Sequence, residues 1–272
     1  MRYLSGFVFG LLVLTSCSPN SVKEEKDLEK YFSAQQVTGV FGLFDNAQGS
    51  FILSDRKRFK DSAYLPASTF KVVNALIGLE TGIVKDDSTV IPWDGVTRKV
   101  PEWNQDLSMY RAFRVSDVPW FQELARRIGK DTMQHWLDTL GYASRYGRAV
   151  INRKDSFWLD NSIKITPDEQ LGLMKKLYFN QLPFQRRTCD IVGRMMLMED
   201  NTNYRLSYKT GWGNAENGDA LAWVVGWIEE NKHPYFFVLQ LRSADPNADI
   251  TAIRMKVLKG ILEELGFMKG KK

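Results

Sequence analysis

The chain has 272 residues, 44% of them hydrophobic and 25% charged, which is enough apolar surface for one large buried core or two small ones and excludes disorder along the whole length. Its net charge of +5 is dispersed, with acidic residues beside most basic ones, and this argues against a nucleic-acid partner.

Residues 1–17 carry Arg2 and then an apolar run over 3–14, too short for a stable membrane span, which reads as an export signal. Its end, Leu14-Thr15-Ser16-Cys17, resembles a bacterial lipoprotein box in which Cys17 is lipidated and becomes the mature N-terminus; an ordinary secretory signal is the alternative. Cys189 is then left without a partner, so no internal disulfide is expected. Residues 18–26 are polar and charge-rich and suit a tether, followed by a folded domain over 27–272.

A first helix is expected over 28–35, then a hairpin of strands 40–44 and 50–53 around Asp45-Asn46-Ala47-Gln48-Gly49. Pro66 precedes a helical pattern through Phe70, Val73 and Asn74 that ends at Gly82, which puts Ser68 at a helix N-terminus. Residues 84–200 form a helical insertion, with helices at 118–128, 132–140, 167–178 and 187–198 marked by apolar residues every three or four positions. Strands follow at 206–210, 221–229 and 235–242, the last two joined by Glu230-Asn231-Lys232-His233, and a helix at 250–265 precedes Gly266. The expected fold class is α+β: a central antiparallel sheet flanked by helices, with an all-helical lobe beside it.

The chemistry lies in three short motifs. In Ser68-Thr69-Phe70-Lys71 the serine and lysine share one helical face, where the amine can take the hydroxyl proton, and the helix N-terminus favours the oxyanion that follows. Ser116-Asp117-Val118 and Lys209-Thr210-Gly211 supply a second serine and lysine, able to relay protons and hold an anionic substrate. Only two histidines occur, His135 and His233, too far apart for a helical or loop metal motif, and there is no Gly-x-Ser-x-Gly elbow; lysine is therefore the expected base. Spacing alone does not select the nucleophile, because Ser54-Asp55-Arg56-Lys57 also fits, in a charged stretch with no helix expected after it. Plain structural roles also exist: Ser116 as a helix cap, Trp158 as a core aromatic, Lys209-Thr210-Gly211 as an edge-strand triplet and Arg254 as a surface residue of the last helix.

Taken with Phe157-Trp158-Leu159, Trp212 after the Lys-Thr-Gly motif, and Trp223-Val224-Val225-Gly226-Trp227, the chain resembles the class D serine β-lactamases, the oxacillinase family, over nearly the whole mature domain. Val118, where other penicillin-recognising serine enzymes usually have asparagine, favours class D. The resemblance implies that family's fold and hydrolysis of β-lactams through a serine acyl-enzyme. Ser68 is then the nucleophile, and Lys71, carboxylated on its amine by carbon dioxide, is the base for acylation and deacylation; no metal or organic cofactor is implied. Trp158 donates its indole hydrogen to the carbamate, and Ser116 passes a proton to the leaving nitrogen. Lys209, Thr210, Gly211 and Arg254 bind the substrate, the amides of Ser68 and Trp212 form the oxyanion hole, and Trp103 lines the mouth. The implied partners are β-lactam small molecules, with no nucleic acid, and a membrane only through an N-terminal lipid anchor in the periplasm; the enzyme is then a monomer or homodimer. A β-lactam sensor domain and a penicillin-binding transpeptidase are the alternatives. One departure stands out: Tyr146-Gly147-Arg148 replaces the family's usual Tyr-Gly-Asn, which bears on loop shape and substrate range.

Overall fold

The computed structural model describes residues 20–245 and 247–272. In chain order these form β1 (Ser21–Glu24), α1 (Glu29–Ser33), β2 (Thr38–Asp45), β3 (Ser50–Leu53), α2 (Arg56–Asp61) and α3 (Lys71–Glu80). Next come β4 (Val90–Ile91), β5 (Leu107–Ser108), α4 (Met109–Arg114), α5 (Val118–Ile128), α6 (Lys130–Leu140), α7 (Pro167–Tyr178) and α8 (Arg186–Met196). The chain then returns to the sheet with β6 (Leu197–Asp200), β7 (Arg205–Asn214), β8 (Ala220–Glu230) and β9 (His233–Ser243), and closes with α9 (Ile250–Glu264). The expected signal segment and Cys17 lie outside the described residues.

Seven strands form one sheet in the order β1-β3-β2-β9-β8-β7-β6, antiparallel except for the β1–β3 pair. Strands β8 and β9 carry continuous apolar runs because both faces of the sheet are covered. Trp223, Val225 and Trp227 point into the core shared with α3, α5, α7 and α8, whereas Ala222, Val224 and Ile228 alternate to the face under α1 and α9. Each fully buried Phe or Leu in these layers contributes about 1.5–3 kcal/mol over leaving it exposed. The β8–β9 turn needs left-handed backbone at both central residues, and Asn231 and Lys232 adopt it with φ of 49° and 67°.

Helix ends follow their caps. Asp117 accepts from Trp120 N at 2.9 Å and starts α5, while Thr166 and Glu169 form a reciprocal capping box that starts α7.

Three expectations change. The stretch expected as a tether contains β1, whose residues Ser21–Glu24 pair in parallel with Ser50–Leu53; all four are exposed, so no apolar alternation marks them. Residues 84–200 are mostly helical but also hold the β4–β5 ribbon and β6. The Ser54-Asp55-Arg56-Lys57 stretch does lead into a helix, because Asp55 caps α2 through Arg58 N at 2.7 Å.

Candidate active site

Helix α3 begins where a short 3-10 turn over Ala67–Phe70 ends, so Ser68 and Lys71 lie one helical turn apart on the same side. Lys71 Nζ donates to Ser68 Oγ at 2.7 Å. Lys71 is fully buried, and burial pulls its amine from an ordinary 10.5 down to about 7, against an opposing pull from the Asp117 carboxylate. A neutral amine reverses this hydrogen bond: Ser68 O–H then donates to Nζ, the arrangement needed to remove its proton. The Phe121 ring, with its centroid 5.7 Å from Nζ, is the aromatic wall beside the amine.

The turn that carries Ser68 is held from three sides. Ala67 N donates to Trp158 O at 3.0 Å, Thr69 Oγ1 donates to Pro66 O at 2.6 Å, and Gln170 Nε2 on α7 donates to Thr69 Oγ1 at 2.7 Å. Ala67 itself sits at φ 48°, a left-handed backbone that costs about 1–2 kcal/mol for a residue with a Cβ. From the sheet side β7 comes so close that a Cβ on Gly211 would meet Pro66 O at 3.1 Å and Thr69 Cγ2 at 3.2 Å. Glycine in the Lys-Thr-Gly motif thus lets β7 lie against the nucleophile turn. A second glycine serves the neighbouring strand, since a Cβ on Gly226 would stand 2.0 Å from Ser207 O.

Lys209 on β7 is buried and donates to Ser116 Oγ and to Thr210 O, both at 3.0 Å. Burial first, then the like charges of Lys71 and Arg254, hold its amine well below the ordinary lysine range. Ser116 stands just before α5 at φ 55°, again left-handed. The cap on α5 is made by Asp117, so the expected alternative of Ser116 as that cap is not what the structure contains.

A cavity of about 840 Å³ opens over this arrangement, lined by Ser68, Ser116, Val118 and Trp103, by Thr210, Gly211 and Trp212 of β7, and by half-buried Arg254 of α9. Its size suits a drug-sized ligand. Arg254 Nη1 donates to Gly211 O at 2.7 Å, while its Nε is buried without a partner among the described residues. Burial lowers its guanidinium to about 10, still charged at neutral pH. Trp158 lies beneath, stacked on Phe70 at 5.1 Å between centroids, and its buried Nε1 has no acceptor among the described residues.

Trp103 Nε1 donates to Val115 O at 3.1 Å, which fixes the indole beside the loop that carries Ser116. Arg148 is not part of the cavity lining; it grips Asp138 of α6 through Nε at 2.8 Å and Nη2 at 2.6 Å. The second Ser-x-x-Lys is structural, because Ser54 Oγ accepts from Phe41 N at 2.9 Å and Lys57 is exposed on α2. Sequence reasoning passed over Asp117 as the variable middle of its motif, and Gln170, whose only signal was a polar residue on the apolar side of α7.

Residues 23–263 match the penicillin binding protein transpeptidase domain. The chain is 33% identical to β-lactamase OXA-11 of Pseudomonas aeruginosa over 272 residues, covering 99% of this chain and 100% of the relative. A class D β-lactamase structure from Sebaldella termitidis superposes with a TM-score of 0.86 at 31% identity, covering 93% of this chain and 100% of that one. The C-terminal domain of the Bacillus licheniformis BlaR penicillin receptor gives 0.83 at 29% identity, covering 92% and 98%. The chain belongs to the penicillin binding protein transpeptidase domain family and, within it, to the class D serine β-lactamases.

Proposed function

We propose that the chain hydrolyses β-lactams in two steps, with Ser68 as nucleophile and Lys71 as base in both. The carrying observation is the 2.7 Å contact between Lys71 Nζ and Ser68 Oγ, below a cavity that Ser68 lines, with the amine at about 7. In acylation Lys71 takes the hydroxyl proton as Ser68 Oγ bonds to the lactam carbonyl carbon, and the amides of Ser68 and Trp212 receive the oxyanion. The C–N bond of the ring then breaks. Ser116, joined to Lys209 by hydrogen bond, delivers a proton to the departing nitrogen. Lys209 lies beside Ser116 next to the arriving anionic substrate, and Thr210 and Arg254 hold the substrate carboxylate.

Lys71 is further proposed to carry a carboxyl group on Nζ, derived from carbon dioxide. Two features fit that group: an amine that burial brings down to about 7, so that a neutral fraction is present at ordinary pH, and the buried Trp158 Nε1 that lacks an acceptor among the described residues. When present, the group supplies an anionic base for the hydrolytic water. Trp158 holds it by donating Nε1–H, and the Phe70 ring stacked on the indole fixes that donor.

The likeness to the BlaR receptor domain favours a second reading, in which Ser68 is acylated and stays so. Burst and steady-state assays with excess chromogenic cephalosporin separate the two. Hydrolysis of many equivalents per chain supports the enzyme, and arrest after one equivalent overturns it. Export with a lipid on Cys17 is part of the same proposal; cells fed labelled palmitate should label the wild type and not Cys17→Ser.

A further inference from the structure

Gln170 is a polar side chain on the buried side of α7, 1% exposed, where Pro167, Leu171 and Met174 around it are apolar. Its Nε2 donates to Thr69 Oγ1 at 2.7 Å, and Thr69 Oγ1 donates to Pro66 O at 2.6 Å. A hydroxyl has a single hydrogen, and a carbonyl oxygen only accepts. The Thr69 hydrogen is therefore committed to Pro66 O, and the bond from Gln170 runs from amide to hydroxyl and not the reverse. The start of α7 is itself tied to the segment that leads to Ser68. Tyr64 N donates to Ile165 O at 3.0 Å and Ile165 N to Tyr64 O at 2.8 Å, one residue before Thr166 caps the helix, and Gln170 N donates to Thr166 O at 3.1 Å.

These contacts converge on one peptide unit. Pro66 O and Ala67 N are the two polar atoms of the same planar group. Its carbonyl accepts from Thr69 Oγ1 and also from Thr69 N at 3.2 Å, while its amide donates to Trp158 O at 3.0 Å. With that plane held at both ends, the dihedral angles of Ala67 alone set the direction of the next amide, that of Ser68. Ala67 sits at φ 48°, a backbone that a residue with a Cβ keeps only where its surroundings over-determine it. Relaxation of Ala67 to the right-handed region would turn the Ser68 N–H to a different direction.

We propose that Gln170 is a positioning residue for the oxyanion hole: through Thr69 and Pro66 it holds the left-handed Ala67 turn, and so keeps the Ser68 amide aimed at the lactam oxygen before substrate arrives. The inference rests on the reading that Ser68 is the nucleophile and its amide an oxyanion donor. A donor fixed in advance stabilises the charge that develops in the transition state without reorganising as it forms. Thr69 N gives Pro66 O a second bond, so breaking the side-chain relay loosens the Ser68 amide without removing it. The loss therefore falls below the roughly 10²–10³-fold of a deleted oxyanion donor.

The test uses Gln170→Leu, Thr69→Val and Thr69→Ser. Single-turnover acylation at saturating penicillin should slow about tenfold in the first two, as for a misplaced catalytic group, while the half-saturating concentration stays at the wild-type value because Thr210 and Arg254 still hold the carboxylate. Phenylboronic acid, whose tetrahedral adduct on Ser68 places an oxygen in the hole, should bind more weakly by about the same factor. Thr69→Ser keeps the relay and should restore the rate lost in Thr69→Val. Wild-type acylation or boronate binding in Thr69→Val overturns the proposal, as does a Thr69→Ser no faster than Thr69→Val, or a half-saturating concentration that rises in step with the loss of rate. If Gln170→Leu does not melt cooperatively, the Thr69 pair alone decides. Ser68→Ala in parallel separates the two failures: a penicillin adduct on that variant removes the nucleophile assignment itself, whereas no adduct there, with wild-type rates in Thr69→Val, removes only the role of Gln170.

Discussion

Lys209 Nζ and Ser116 Oγ are 3.0 Å apart, a contact that joins the central sheet to the helical lobe across the floor of the cleft. Two side chains separated by 93 positions in the chain thus act as one unit. If the pair is a single proton relay, Ser116→Ala and Lys209→Met should each slow acylation by about 10²–10⁴-fold, the usual reach of general acid–base catalysis. The double variant should be scarcely slower than either single one. Rapid-mixing single-turnover rates decide this, and additive losses would show that the two residues act separately.

Trp158→Phe keeps an aromatic ring against Phe70 but deletes the buried N–H that has no acceptor among the described residues. Acylation of Ser68 should persist while deacylation slows and more bicarbonate is needed. Carbon-13 NMR with labelled bicarbonate should show a carbamate signal in the wild type and a weaker one in the variant. An equal signal in both would remove the indole from the mechanism.

Arg254→Ala should raise KM for carboxylate-bearing substrates by a factor equivalent to about 1.5–3 kcal/mol, the range for hydrogen bonds to charged groups. Because Arg254 also donates to Gly211 O, Arg254→Lys separates the two functions: it keeps the charge and loses the planar fork. Unchanged KM in both variants would place the carboxylate elsewhere.

Lys71 also ties stability to pH. Its amine sits at about 7 in the native chain against an ordinary 10.5, so between these values the unfolded chain holds a proton that the native chain has released. Stability therefore rises with pH across that window, levels off above it and is lowest below about 7. Lys209 is displaced in the same direction. Denaturant titrations at pH 7 and pH 9 should show a gain of roughly 2 kcal/mol in the wild type that shrinks in Lys71→Met. Parallel gains in the two proteins would assign the slope to other groups.

Local chemistry made much of this architecture legible. The spans of α5 and α7 follow from apolar residues every three or four positions, though not the caps Asp117 and Thr166 that start them, and β8 and β9 follow from long apolar runs. The Ser68–Lys71 contact was equally accessible, because one helical turn brings the two together whatever the tertiary fold. Edge strand β1 was hidden: its residues are exposed and draw their order from pairing with β3. The contacts of Gln170 with Thr69 and of Lys209 with Ser116 likewise depend on segments about a hundred positions apart, which no local pattern encodes.

The place of β1 has a practical geometric consequence. It lies at one edge of the sheet, five strand positions from β7, and at about 4.8 Å per strand that is roughly 24 Å. A fluorophore or chip surface coupled at Asn20 is therefore attached beside the sheet edge remote from β7. Immobilising the protein through that end should leave the entrance of the cavity unobstructed, whereas coupling near the β7–β8 turn, whose Ala215 and Glu216 line the cavity, should block it.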